Sequence, residues 1–342
     1  MDFIKKNKEF DLIGVGEVML RLSPDSKEKI STSESFIKNA GGSELNVVSG
    51  AAMLGVRSAI ITKLPENKVG RFIRNKIRYG NVSDDYIVYD QSDSKRLGIY
   101  FYESGVYPRK SSVVYDRANA SVTTLTKEEI PEDIYEKTSI FHISSISLAL
   151  GKTLQETAIN CIKKFKEAGA VISFDVNYRA TLWDEDTARE TIQSILPYVD
   201  ILFVSEESSR RMFRKSGTLN EIQKSYVDEY GCKIVATTKR EVISPTKHNF
   251  SSQIYYDGKY YTESAYENIE IVDRLGSGDA YVAGVLYGVL TTSDIVKSLE
   301  IGNAMSAVKN TIHGDMCASS MSEINEVIKS HHTVGHQSEM NR

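Results

Sequence analysis

Ile271-Val-Asp-Arg-Leu-Gly-Ser-Gly-Asp-Ala-Tyr-Val-Ala-Gly-Val-Leu286 decides how the rest of the chain is read. It opens as a short strand, passes through a glycine turn and continues as an apolar helix from about Asp279 to Leu290. Gly276 and Gly278 bracket Ser277 and let the backbone turn its N–H groups toward one point. The helix that follows adds unsatisfied N-terminal donors and the positive end of its dipole, so the turn suits an anion. Asp279 is then the odd residue. A carboxylate among such donors repels a bound phosphate unless it takes a proton from the group that attacks that phosphate. A plainer account, a helix-start acid beside two turn glycines, explains most isolated Gly-x-Gly-Asp strings. Here the string is not isolated.

At 342 residues the chain is long enough to bury a large core as one big α/β domain or two smaller ones. Its 42 basic and 46 acidic residues give a net charge of −4, with no basic run that would mark a nucleic-acid partner. Lys5-Lys6-Asn7-Lys8 reads as a solvated end. The start, Met1 to Phe10, lacks an apolar core followed by small residues, and no apolar run approaches membrane-spanning length, so a soluble cytoplasmic protein with no membrane partner is expected. Cys161, Cys232 and Cys317 fit neither a zinc spacing nor a disulfide framework and read as reduced, half-buried fillers.

Outward from the opening motif, strands and helices alternate. Asp11 to Gly16 reads as a buried strand and Glu17 to Leu22 as a half-exposed one. Asn39 to Gly55 brings Gly41-Gly42 ahead of a helix whose small residues Gly50, Ala51 and Ala52 allow close packing on a sheet. Asn46, near that helix start, suits a local cap and a polyol contact equally well. Strands follow at Ser58–Lys63, Ser139–Ser144, Ala170–Asp175, Asp200–Ser205 and Lys233–Thr238, with helices at Val69–Tyr79, Thr153–Ala168 and Asp294–Thr311. This rhythm argues for a mainly parallel sheet covered on both faces. Leu97–Tyr102 and Ser112–Arg117 break it as an antiparallel hairpin, which together with Glu17–Leu22 could form a small lid. Tyr100, Tyr102 and Tyr115 there either bind or merely cover a sheet face. Asn177 and Arg179 lie just past a strand end, where open α/β sheets bind ligands, although Arg179 could instead pair with Asp184. Ile254–Thr262 is a hairpin around Asp257-Gly258. From Ser330 onward the tail, with His331, His332 and His336, reads as an unstructured end.

Gly41-Gly42 with Asn46, Asn177-x-Arg179 after a strand, and Asp273-Arg-Leu-Gly-Ser-Gly-Asp279, in this order and over nearly the whole chain, resemble the ribokinase-like (PfkB) carbohydrate kinases. Gly16-Glu-Val-Met-Leu-Arg-Leu-Ser-Pro24, Phe141-His-Ile-Ser144, Asp175-Val-Asn-Tyr-Arg179 with Leu182-Trp183, and Thr237-Thr-Lys-Arg-Glu241 resemble the 2-keto-3-deoxygluconate kinases within that family. The resemblance implies a three-layer α/β fold, with a central mostly parallel sheet flanked by helices. It implies one kinase domain over residues 1–330, a small β lid from about 17–38 and 90–118, and a flexible tail over 331–342. It implies ATP and Mg2+ and leaves room for K+ near Asp273; the tyrosines of the lid hairpin suggest a homo-oligomer, a dimer through the lids or higher.

Roles follow from the same likeness. Asp279 would be the base that accepts the sugar hydroxyl's proton, with Gly276, Ser277 and Gly278 as the anion hole for the moving phosphoryl group. Gly42, Asn46, Tyr100, Tyr115, Arg117, Arg179 and Asp315 would hold a sugar acid, the two arginines favouring a carboxylate-bearing substrate. Asn177, Arg179, Ser205, Thr238 and Asn303 would meet the nucleotide. Departures stand out too. Ser205-Glu-Glu-Ser208 replaces the usual Asn-x-x-Glu, so that a magnesium-orienting role moves to Glu206 or Glu207 and direct metal ligands stay unassigned. Thr238-Lys-Arg-Glu241 replaces a glycine-containing nucleotide turn, which leaves the adenine contacts unassigned. The competing expectations are a fructokinase or another sugar kinase of the family, and a sugar sensor that kept the fold without the chemistry. A dinucleotide-dependent oxidoreductase is disfavoured, because no Gly-x-Gly-x-x-Gly string opens the first βα unit.

Overall fold

A computed structural model describes residues 1–333 except Asp2, Ser26 and Asp93. In chain order the strands and helices are β1 (Phe10–Val15), β2 (Met19–Pro24), β3 (Phe36–Gly41), α1 (Ser43–Met53), β4 (Ser58–Pro65), α2 (Lys68–Tyr79), β5 (Val82–Ser83), β6 (Ile87–Asp90), β7 (Ile99–Glu103) and β8 (Ser112–Asp116). They continue as β9 (Thr138–Ser144), α3 (Ser145–Ala149), α4 (Lys152–Glu167), β10 (Val171–Asp175), α5 (Glu185–Ile195), β11 (Ile201–Phe203), α6 (Glu206–Arg211), α7 (Leu219–Tyr230), β12 (Ile234–Ser244), β13 (Lys247–Tyr256), β14 (Lys259–Thr262) and β15 (Tyr266–Glu270). The last three helices are α8 (Ser277–Thr291), α9 (Ile295–Asn310) and α10 (Met321–His332).

The main sheet has 11 strands, ordered β14-β13-β12-β11-β10-β9-β1-β4-β5, with β15 on β13 and β6 on β4. From β12 through β4 every pairing is parallel, while β12, β13 and β14 run antiparallel. Alternation along each strand sends neighbours to opposite faces. In β1, Leu12 packs toward α1, α8 and α9, whereas Ile13 and Val15 pack toward α4 and α5. In β9, Ile140 and Phe141 divide the same way, and the Phe141 ring stacks on Phe165 of α4 at 4.2 Å between centroids. Each fully buried aliphatic or aromatic side chain of this kind contributes about 1.5–3 kcal/mol.

The second sheet has four strands, ordered β3-β2-β7-β8. Tyr100 pairs opposite Tyr115 in its antiparallel β7–β8 hairpin. β2 starts at Met19, so Glu17 and Val18 form the link from the main sheet rather than strand. β3 lies beyond the sequence expectation, since Phe36-Ile-Lys-Asn-Ala-Gly41 alternates too weakly to stand out. The expected strand at Lys233–Thr238 also runs further, because Lys239, Arg240 and Glu241 pair with Ser251, Phe250 and Asn249 of β13. The tail differs as well. His331 and His332 complete α10, where the His331 ring stacks on Tyr266 at 3.7 Å and His332 Nε2 lies 2.9 Å from Glu263 Oε1; His336 lies outside the described residues. No helix among the described residues is long and apolar enough to cross a membrane.

Candidate active site

Parallel strands β1, β9, β10 and β11 all end on one side of the sheet, at Val15, Ser144, Asp175 and Phe203, and α8 starts beside them. Gly276 makes the turn into α8 with φ +79°, and a Cβ there would stand 1.9 Å from the Asp315 carbonyl oxygen, so only glycine fits. No side chain caps the helix, which leaves its first donors for something else. Beyond Gly278 there is open space.

Asp279 follows at once, and its carboxylate is fixed from α1. Ser43 Oγ donates to Oδ1 at 2.8 Å, and Asn46 Nδ2 donates to Oδ2 at 2.7 Å. Asn177 Nδ2 in turn donates to Ser43 Oγ at 2.9 Å. Burial raises the Asp279 pKa; the bonds from Asn46 and Ser43 and the charge of Arg179 oppose that rise, while Asp315 adds to it. The result is a more basic carboxylate held in one orientation. Asn46 therefore caps nothing, and its Oδ1 is buried without a partner.

Two pockets adjoin here, and Asp279 lines the smaller of them. The smaller, about 90 Å³, is lined by Gly42, Asn46, Tyr100, Tyr115, Arg117, Asn177, Arg179, Gly276, Asp279 and Asp315, so every residue expected to hold a sugar acid borders it. The larger, about 820 Å³, is lined by Asn177, Arg179, Ser205, Thr238, Ser277 and Gly278. Arg179 and Asn177 border both. Asp184 is not its partner: that residue caps α5, and Arg179 donates only a long bond of 3.4 Å to the Tyr178 carbonyl.

Several expected residues stand differently. Asn303 borders neither pocket. It is fully buried, accepts from Ser252 Oγ at 2.6 Å and donates to Glu263 Oε2 at 2.7 Å, so it positions two residues of the larger pocket instead of touching a ligand. Arg117 is not a free cation, because its guanidinium pairs with buried Glu17 and lies 5.1 Å from the centre of the Tyr115 ring. Burial raises the Glu17 pKa against the pull of Arg117. Asp315 is also engaged: Arg21 Nη1 reaches its Oδ1 and the Tyr100 hydroxyl donates to its Oδ2. Glu206 and Glu207 border the larger pocket but pair with Arg210 and Arg211, one helical turn on. Ser205 caps α6, accepting from Ser208 N at 3.0 Å.

Other residues at the site carried too little signal in the sequence. Ser43 and Glu44 sit directly after the glycine pair. Asp175 borders the larger pocket, and burial, then the neighbouring charge of Asp279, push its carboxyl up to about 7. Arg240 joins the larger pocket from β12, held below its usual value by desolvation and then by the charges of Arg274 and Arg179. His248 beside it is kept neutral, down to about 4, by burial and then by the charges of Arg240 and Arg274. Positive charge thus gathers where the open helix end lies. A cation from β12 could not be foreseen while that stretch read as loop.

The pfkB family carbohydrate kinase model matches residues 10–320. The 2-dehydro-3-deoxygalactonokinase of Haloferax volcanii is 33% identical over 319 residues, covering 93% of this chain and 96% of the relative. The 5-dehydro-2-deoxygluconokinase of Clostridium perfringens is 30% identical, covering 96% and 94%. The crystal structure of 2-dehydro-3-deoxygluconokinase from Thermotoga maritima superposes with a TM-score of 0.90 at 35% identity, over 94% of this chain and 98% of that one.

Proposed function

Because the chain belongs to the pfkB family of carbohydrate kinases, we propose that it transfers the γ-phosphoryl group of ATP to a terminal hydroxyl of 2-keto-3-deoxygluconate. The observation that carries this reading is Asp279, fixed by Ser43 and Asn46 in the small pocket, which shares Asn177 and Arg179 with the larger one. In this reading the sugar acid fills the small pocket and its hydroxyl donates to Asp279. As that oxygen bonds to the γ-phosphorus, its proton passes to the Asp279 carboxylate and the bond to the β-phosphate oxygen breaks, leaving ADP in the large pocket. Backbone donors of Gly276, Ser277 and Gly278 receive the charge on the moving group. Arg179, which borders both pockets, serves substrate carboxylate and phosphates together. The unpartnered Asn46 Oδ1 is an acceptor suited to a sugar hydroxyl.

Magnesium bound with the triphosphate would shield its charge. Asp175 is the carboxylate of this chain that would face it, since a buried acid crowded by Asp279 gains most from a nearby cation. A second reading, the C4 epimer 2-keto-3-deoxygalactonate, is supported by the likeness to the haloarchaeal enzyme. An ADP-release assay over both epimers, 5-keto-2-deoxygluconate and neutral ketoses ranks them by kcat/KM; a neutral ketose in first place would reject the sugar-acid reading. Asp279→Asn should lower kcat by about 10³-fold while calorimetric sugar binding persists. An active Asn variant would remove Asp279 as the base.

A further inference from the structure

Lys309, near the end of α9, has no exposed surface, and the phosphoryl-transfer scheme leaves it without a task. Its Nζ donates to the carbonyl of Asp273 at 3.1 Å and to that of Ile312 at 3.0 Å. Those carbonyls belong to the two segments that enclose the site. Asp273 opens the turn that ends in Asp279, and Ile312 precedes Gly314 and Asp315. The same segments are stitched a second time by Gly314 N, which donates to Asp273 Oδ2 at 3.0 Å, while Leu275 N holds Oδ1 at 3.2 Å from within the turn.

Carbonyl oxygens converging beside carboxylates are the surroundings a hard cation selects. The potassium ion that the family likeness allows near Asp273 does not fit here, since an amine already holds these two carbonyls. Charge leads to the same conclusion. Arg21 Nη2 lies 2.6 Å from Asp273 Oδ2 and Arg21 Nη1 also pairs with Asp315, so two buried cations, Arg21 and Lys309, face two buried carboxylates. The cluster closes at zero, and a further cation would leave an uncompensated buried charge. Burial pulls the Lys309 pKa down, while Asp273 and Asp315 push it back toward the charged form.

We propose that Lys309 is a built-in cation that ties the Asp279 turn to the Asp315 loop, so that this kinase needs no monovalent metal ion. Lys309 is a positioning residue, and the proposal rests on reading Asp279 as the base of a sugar kinase.

The test compares the full-length wild type, Lys309→Ala and Lys309→Met in buffers whose only monovalent cation is N-methylglucamine, then with ~200 mM potassium or ammonium added. Melting temperature and ADP release are both read. Wild type should change turnover by less than about 2-fold and keep its melting temperature. Lys309→Ala should lose about 10-fold or more in kcat and recover several-fold with potassium or ammonium, with its melting temperature rising by about 2 °C or more as the ion fills the space. Lys309→Met, which fills that space without a charge, should show neither recovery. Potassium activating or stabilising the wild type would overturn the proposal. So would a Lys309→Ala enzyme that is fully active without added ions, or one that neither ion restores. If Lys309→Ala does not fold, the wild-type melting temperatures decide alone. If no sugar is turned over, the functional reading fails and the melting arm still judges Lys309.

Discussion

Glu44, two residues after the glycine pair, is a buried acid whose titration couples to folding. It is 1% exposed, and Ser144 N, Ser144 Oγ and Ser147 Oγ all donate to its Oε1, at 2.9, 2.8 and 2.8 Å. Burial outweighs those bonds and pushes its carboxyl up to about 7 from 4.5. A folded-state pKa above the unfolded one means that folding takes up a proton. The associated stability is fully present below pH 4.5 and is lost as pH rises through about 7. Asp175, also raised to about 7, acts in the same direction. Glu44→Gln keeps the Oε1 acceptor and cannot ionise, so its urea-unfolding free energy should gain on wild type between pH 5 and 8 by up to about 3 kcal/mol. Parallel curves for the two proteins across that range would show that Glu44 does not titrate there.

α8 and α9 pack more closely than side chains of ordinary size allow. A Cβ on Gly284 would lie 2.8 Å from the Gly302 Cα, and one on Gly50 of α1 would lie 2.9 Å from the Ala283 Cβ. α8 carries Asp279 at its start and α9 carries Lys309 near its end, so the spacing of these helices sets the site. Gly284→Val should destabilise by about 2–3 kcal/mol through overpacking and lower kcat further than the stability loss explains. A variant with normal melting and normal kcat would detach the helix spacing from catalysis. The sequence showed α8 because its apolar run follows a glycine turn, and it showed β1, β4, β9 and β10 because strands buried on both faces read as unbroken apolar runs. It did not show β3, whose face is half solvated, nor the β12 extension through Lys239-Arg-Glu241, where charged residues stand on a paired strand. At the site, glycines and the lone acid Asp279 were legible because backbone chemistry dictates them. Lys309 was not, since a polar residue inside a helical period reads as its wet side until tertiary packing buries it, and Asn303, expected at the nucleotide, is instead buried behind the pocket wall.

At the scale of the whole molecule, Arg21 of β2 is a buried polar link between the small sheet and the segments that carry Asp273 and Asp315. It is 3% exposed, pairs with Asp273 and Asp315, donates from Nε to Ser23 Oγ at 2.8 Å, and lies 4.5 Å from the centre of the Tyr102 ring. Burial alone would lower its pKa, but Asp315 and Asp273 raise it beyond the ordinary arginine value, so it is charged at any working pH. The lid is thereby joined to the two segments that Lys309 also joins. Removing the arginine leaves two carboxylates facing one lysine, an imbalance that costs about 3–5 kcal/mol in buried clusters. Arg21→Met should therefore lower stability by that order and raise the sugar KM, because Tyr100 and Arg117 share the sheet or its margin with Arg21. Combining it with Asp315→Asn, which removes one of the stranded charges, should restore part of the stability without restoring the KM. That split separates two roles of one residue: charge balance under the catalytic turn, which a second neutralisation repairs, and alignment of the lid over the sugar, which it does not. Strictly additive losses in the double variant would mean that Arg21 and Asp315 act independently, and the charge-balance role of Arg21 would be rejected.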